Sequence, residues 1–207
     1  MQDDASPAKA GYHHGNLKAA LITAADEILR DKGIEGFSLR EAARRAGVSV
    51  GAPAHHFGSA NGLLTEVALL GYGSLGAALN AVAITEDPQE DLRALALAYV
   101  TFALDHPGRF RLMFRADLVN REDPRYAESS TRALSGFAAA ITRKPTSTES
   151  GPMARIFLVW SLVHGMANLV LDDKAKYLFG GASPDAFVRQ VLPDILARAW
   201  PSDATDV

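Results

Sequence analysis

Four times in this sequence a capping residue or glycine is followed by proline, and the proline by apolar residues at helical spacing. The pairs are Asp87-Pro88, Asp123-Pro124, Gly151-Pro152 and Ser183-Pro184. Proline at the first helical position costs nothing, because the N–H it lacks would be unpaired there and its fixed φ already suits a helix. The stripes that follow are Leu92, Leu95, Tyr99, Phe102; Tyr126, Leu134, Phe137, Ile141; Ile156, Trp160, Val163, Ala167; and Phe187, Val191, Ile195, Leu196. Glu90, three residues after Asp87, predicts a capping box. Sustained period-two alternation is absent, so the fold class expected is all-α.

An earlier stripe, Leu17, Leu21, Ala24, Ile28 and Leu29, predicts a first helix with Asn16 as N-cap and Gly33 as its stop. His106-Pro107 breaks one helix and opens a short one over "GRFRLMF". Pro193 predicts a kink in the last helix. The longest polar loop is "TRKPTSTESGP". Residues 152–172 are apolar nearly all round, which predicts burial on more than one side, at a bundle centre or against a second subunit.

Composition narrows the function. Of 207 residues, 48% are hydrophobic and 22% charged, the balance of a folded domain. There is no cysteine, which excludes disulfides, thiolate chemistry and cysteine zinc sites. Gly, Ser, His or charge interrupts every apolar run, and the acidic N-terminus lacks a signal-peptide pattern, so no membrane partner and a cytoplasmic location are expected. Net charge is −3, and residues 1–60 carry seven Lys/Arg against seven Asp/Glu. Binding to nucleic acid must then rest on local placement of charge.

Residues 38–64, "SLREAARRAGVSVGAPAHHFGSANGLL", place such charge. Ser38 can cap a helix running to Arg45 or Ala46. Ala43 stands four before Gly47, the small-residue and turn-glycine spacing of a helix-turn-helix. Val48 plugs the angle, Ser49 or Val50 caps a short helix with Gly51, Ala52 and Pro53 in its first turn, and Phe57 anchors it. Gly51 and Ala52 leave its front bare for close approach to a DNA groove. Ser59 caps the next helix, expected over 60–83, whose N-terminus offers N–H groups to a phosphate.

Residues 24–68, "AADEILRDKGIEGFSLREAARRAGVSVGAPAHHFGSANGLLTEVA", resemble the TetR/AcrR family of transcriptional regulators. "YHHGNLKAAL", "HPGRFRLMF" and "VWSLVHGMA" resemble one subgroup, the last through a Trp-His-Gly pattern at Trp160, His164 and Gly165. The resemblance implies an arm over 1–15, a three-helix DNA-binding domain over 16–58 and an effector-binding, dimerising bundle over 59–207. It implies double-stranded operator DNA as partner, a small-molecule effector, and a homodimer formed through helices 152–172 and 184–199. By position, Ser38, Arg40, Ser49, Val50, Gly51, Ala52, His55, His56, Ser59 and Asn61 would face DNA; Arg44, with Arg45, is either a phosphate contact on the second helix or a solvated face. Arg40 is the best base reader, since a guanidinium can donate twice to a guanine edge; hydroxyls and histidines suit phosphates. Protonation of His55 or His56 would strengthen phosphate binding. Ala54 and Ala60 depart from the family's tyrosine and basic residue, both phosphate contacts, and imply weaker or more salt-tolerant binding.

Phe102, Phe110, Met113, Phe114, Phe137, Trp160 and His164 are candidates to line an effector pocket, against the plainer expectation that aromatics at helical spacing are core. His164 is expected to be a structural group donating to a backbone carbonyl. Adjacent histidines, His13-His14 and His55-His56, point about 100° apart on a helix, so neither pair suits a metal. No metal and no cofactor are expected. No Gly-x-Ser-x-Gly, phosphate loop or His-Glu-x-x-His is present, and Ser161 and His164 lack an acidic partner, so no enzyme is expected. The reading reached is a ligand-responsive repressor; the alternative is a helical ligand-binding protein with a vestigial DNA module.

Overall fold

The computed structural model describes residues 14–143, 151–174, 176, 180, 181 and 183–201, and among these there is no strand. Of the arm expected over 1–15, residues 1–13 lie outside the described residues, as do residues 144–150 of the polar loop expected over 142–152; His14 and Gly15 already belong to the first helix and Thr142, Gly151 and Pro152 to the helices flanking the loop. Among the described residues nine helices follow in order: α1 His14–Lys32, α2 Leu39–Arg45, α3 Ala52–Phe57, α4 Ala60–Asn80, α5 Pro88–Asp105, α6 Pro107–Met113, α7 Pro124–Thr142, α8 Gly151–Leu171, and α9 over 184–199. A 3₁₀ turn, Ile34–Gly36, joins α1 to α2.

Two hydrophobic cores meet along α4. Leu63, Leu64, Val67 and Ala68, from its first half, pack with Leu21, Ala25, Ile28 and Leu29 of α1 and Ala42 of α2. Tyr72, Leu75 and Leu79, from its second half, pack with Leu95, Tyr99, Phe137, Val163 and Phe187 of the bundle. Leu112 of α6 belongs to the first core, while its neighbours Phe110 and Met113 belong to the second. Helix α6 is therefore wedged between the cores.

The cap–proline signals act as expected at three starts. Asp87 accepts the N–H of Gln89 at 2.8 Å, Asp123 that of Arg125 at 3.0 Å, and Ser183 that of Ala186 at 3.2 Å. The capping box does not form through Glu90, which is exposed. Buried Asp91 instead accepts the Thr85 N–H at 2.7 Å and its hydroxyl at 2.9 Å, and pairs with Arg143, because the chain before α5 folds back over that carboxylate. Asn16 does not cap α1, which already begins at His14, since neither Gly15 nor Asn16 bars helical dihedrals. Helix α4 stops at Asn80, short of the expected 83. Ahead of Pro193 the last helix widens into a π-helical turn, Phe187–Val191, which relieves the clash of the proline ring with the preceding turn.

One further expectation needs correction. Helices α4 and α8 are both long and apolar enough to cross a membrane by length and composition, because single Gly, Ser or His residues dilute such runs too little. In α4 the apolar residues are mostly core. In α8 one face is buried, through Val159, Val163, Met166, Ala167 and Val170. The other carries Met153, Phe157, Leu158, Leu162 and Leu169, all exposed, so a single chain does not bury this helix on every side.

Candidate nucleic-acid interface and effector core

The helix-turn-helix forms through short-range chemistry. Ser38 is extended and its Oγ accepts the Glu41 N–H at 3.2 Å, which starts α2. Ala43 is buried, Gly47 turns the chain at φ +68°, and the Val48 N–H donates to the Ala43 carbonyl at 3.0 Å. The cap of α3 is Gly51 rather than Ser49 or Val50, because the chain makes one further turn, with the Ala52 N–H bonded to the Ser49 carbonyl. Pro53 thus sits in the first turn, where it loses no bond. Phe57 packs against the N-terminal core with the Lys18 ammonium 5.7 Å above its ring. Ser59 caps α4, its Oγ accepting the Gly62 N–H at 3.2 Å.

One determinant of this arrangement escapes sequence reasoning. A Cβ at Gly62 would lie 2.0 Å from the Phe57 carbonyl oxygen, so only glycine lets the end of α3 rest on the first turn of α4. Its signal in the sequence is a glycine inside a helix start that needs no turn.

Helix α3 packs on both α2 and α4. Around it Ser38, Arg40, Arg44, Ser49, Val50, Gly51, His55, Ser59 and Asn61 are exposed, while Ala52 and His56 are half-buried. The cations differ in freedom. Arg40 makes no ion pair among the described residues. Arg44 donates to both carboxylate oxygens of Glu41 at 2.8 and 2.9 Å. Glu41 also holds Lys32 at 3.0 Å and Arg45 at 3.3 Å, and Arg45 reaches Asp31 at 2.7 Å. The Arg44 guanidinium, then Lys32, holds the Glu41 carboxyl well below the usual range. Within the protein Arg44 is thus committed to Glu41, whereas Arg40 stays exposed. The Asn61 amide spends a donor on the Asp117 carbonyl at 3.4 Å. The rings of His55 and His56 stand nearly perpendicular, 5.2 Å apart.

In the bundle, the candidate pocket residues do not all meet. Half-buried His164 is ringed by Phe114, Phe110 and Trp160, with centroids 4.4, 5.3 and 5.8 Å away. Tyr99, unassigned by sequence reasoning, joins them and stacks on Phe137 at 6.1 Å. Trp160 Nε1 donates to the Tyr99 oxygen at 3.4 Å, and the same hydroxyl is hydrogen-bonded to His164 Nδ1 at 3.0 Å. The partner of His164 is thus a hydroxyl rather than the expected carbonyl. Burial pushes the Tyr99 hydroxyl up and His164 down from their ordinary values, which favours the neutral form of each.

Open space lies beside this cluster. Phe110 and Phe114 line a groove of about 670 Å³ between the end of α1, α6 and α8, with Leu29, Ile34, Arg30 and Arg111. Phe102 stands apart beside His106, lining a cleft of about 430 Å³ between α4 and α5. Neither space is lined by Met113, Phe137, Trp160 or His164. Met113 fills the place left by Gly71, where a Cβ would sit 2.7 Å from its sulfur.

The modules are joined by a contact the sequence did not announce. Arg109 on α6 pairs with Asp26 on α1, and a Cβ at the adjoining Gly108 would lie 2.7 Å from the Leu29 backbone.

Comparison with known proteins agrees with this division. Residues 21–67 match the family described as bacterial regulatory proteins, tetR family, and residues 92–195 match the tetracyclin repressor-like C-terminal domain. No curated protein matches the chain. A solved protein of unknown function from Rhodococcus sp. RHA1 is 28% identical, with TM-score 0.71 over 93% of this chain and 99% of that one. The TetR family regulator PfmR from Thermus thermophilus shares the fold at 22% identity and TM-score 0.65, over 87% of this chain and 94% of its own. A TetR family regulator from Marinobacter aquaeolei does so at 17% identity and TM-score 0.61, over 90% and 94%. With a helix-turn-helix at one end and this C-terminal domain over half its length, the chain belongs to the TetR family and is a DNA-binding transcriptional regulator.

Proposed function

We propose that this regulator is a repressor that grips a palindromic operator as a homodimer and releases it when a small organic effector binds the bundle. The observation that carries the reading is the uncovered face of α8. Phe157, Leu158 and Met153 are 66%, 70% and 72% exposed, more apolar surface on one helix than a monomer leaves in water. Gly165 lies on the same face as Leu158, Leu162 and Leu169, and a Cβ there would meet nothing within 4 Å among the described residues. A glycine amid a helix lowers its stability, and here it admits the close approach of a second helix. Helices 152–172 and 184–199 form the interface, so the two α3 helices enter successive major grooves about one helical turn apart.

The DNA-reading domain runs from α1 to residue 58 and the bundle over 59–207, with α4 shared by their cores. Arg40 reads a base, the hydroxyls of Ser38, Ser49 and Ser59 with His55 and His56 hold phosphates, and Arg44 joins them by leaving Glu41. The effector acts from the aromatic group about His164, through α6, onto α1. Its two domain arrangements must bind it with different affinity for release to follow. Trp160, His164 and Gly165 support placing the chain in the Trp-His-Gly subgroup. The protein works on DNA in the cytoplasm, without catalysis and without a membrane. A second reading, a vestigial DNA module, is favoured only by Ala54 and Ala60, which put methyl groups where phosphate contacts are usual.

Fluorescence anisotropy separates the two. The purified chain is titrated against DNA from upstream of its own gene and against a scrambled control across a salt series. Tight binding to the first alone, weakening steeply with salt, is expected. Equal weak binding to both, followed by failure to select any site from random DNA, would leave the vestigial reading standing.

A further inference from the structure

The front of the recognition helix holds no polar reader. Between Ser49 and His55 its accessible surface consists of Val50, Gly51, Ala52 and Ala54, with Pro53 buried. Val50 is 64% exposed, a branched apolar side chain held out at the tip of the module. Gly51 has no internal reason to be glycine. Its φ of −80° and ψ of −17° suit any residue, and a Cβ built on it meets nothing within 4 Å. Its missing side chain therefore serves a surface outside the protein. In the DNA-binding reading that surface is the floor of the major groove, which the first turn of α3 can touch with its backbone.

We propose that Val50 and the bare turn behind it recognise the C5-methyl group of thymine, so that the operator is read under α3 by methyl contact rather than hydrogen bonding. Thymine is the one base that offers a methyl in the major groove, and apolar side chains distinguish it by that group. Gly51 and Ala52 let the turn descend until Val50 meets the methyl. Bidentate reading of guanine is left to Arg40. Because no polar atom at this contact senses the base edge, a cytosine bearing a 5-methyl group fits the same place. The half-site thus holds a thymine that tolerates 5-methylcytosine and rejects unmethylated cytosine.

This inference rests on the operator reading above, and one experiment tests both separately. The full chain selects its site from random duplex DNA, and each thymine of that site is then replaced in turn by uracil, cytosine and 5-methylcytosine. At one thymine per half-site, uracil is expected to weaken binding about fourfold, the worth of one buried methyl. Cytosine weakens it at least as much, and 5-methylcytosine restores most of the loss. In the Val50→Ala variant, which changes an exposed residue, the uracil penalty at that position disappears. A chain that enriches no sequence overturns the operator reading and this inference together. A chain that enriches a site but is indifferent to uracil at every thymine, or keeps the full penalty in Val50→Ala, overturns this inference alone.

Discussion

Arg109 on α6 donates through Nε and Nη2 to the two carboxylate oxygens of Asp26 on α1, at 2.5 and 2.6 Å. Both side chains are less than one-fifth exposed, and Arg109 also reaches the Ser74 hydroxyl of α4 at 3.3 Å. A two-pronged pair in partial shelter fixes orientation as well as distance. Removing one partner strands the other charge, which should cost about 2 kcal/mol, less than a fully buried pair. Arg109→Ala should therefore lower the melting temperature by about 4–8 °C. A double-mutant cycle with Asp26→Ala, followed by urea denaturation, should give a coupling energy above about 1 kcal/mol. A coupling near zero would reduce the pair to a surface contact.

Burial holds the pKa of His164 below its ordinary value, while in the unfolded chain it returns to about 6.5. The folded state then binds fewer protons than the unfolded one as pH falls through that value, so the stability tied to this group is complete above it and is lost below it. Urea midpoints compared at pH 7.5 and 5.5 should fall more for the wild type than for His164→Gln, which cannot titrate. Equal falls would place the pH sensitivity elsewhere.

Gly62 and Gly51 stand eleven residues apart and should respond in opposite ways to the same added methyl. In Gly62→Ala the new Cβ meets the Phe57 carbonyl oxygen at 2.0 Å and must push α3 off α4. Overpacking of this kind costs about 1–3 kcal/mol. Gly51→Ala meets nothing, and stability should hold or rise slightly. Operator affinity should fall in both. Circular-dichroism melts alongside anisotropy would show it, and an unchanged affinity in Gly51→Ala would mean that the turn does not approach DNA closely.

What could be read in the sequence is what neighbours decide. Asp87-Pro88, Asp123-Pro124 and Ser183-Pro184 start helices because cap and first turn lie within three residues of each other. Ala43, Gly47 and Val48 make the turn for the same reason. The determinants that went unread join distant positions: Arg109 and Asp26 are 83 residues apart, Tyr99 and His164 are 65. Nothing local marks Tyr99 as more than another core aromatic, and nothing tells Arg109 from the exposed Arg111 two residues later. The missed capping box is a near case, since the Asp87 N–H that Glu90 would have accepted donates instead to the Thr85 hydroxyl at 3.1 Å, which the path of the preceding loop brings there.

The exposed face of α8 gives the last prediction. Leu158, Leu162, Gly165 and Leu169 recur at steps of four, three and four, a single stripe along a helix whose opposite face is already spent on Val159, Val163 and Ala167. A charge at Leu162 costs the isolated chain little, because that side chain is 40% exposed. In a dimer it would be buried without a partner, at a cost of several kcal/mol. Leu162→Asp should therefore be a folded monomer by sedimentation, with unchanged helical content. A monomer carries one recognition helix and loses the gain of holding two half-sites at once. Its affinity for the full operator should fall to that for a single half-site. A variant that stays dimeric would move the interface away from α8, and one that turns monomeric yet binds the full operator undiminished would show that the palindrome is not read by two subunits together.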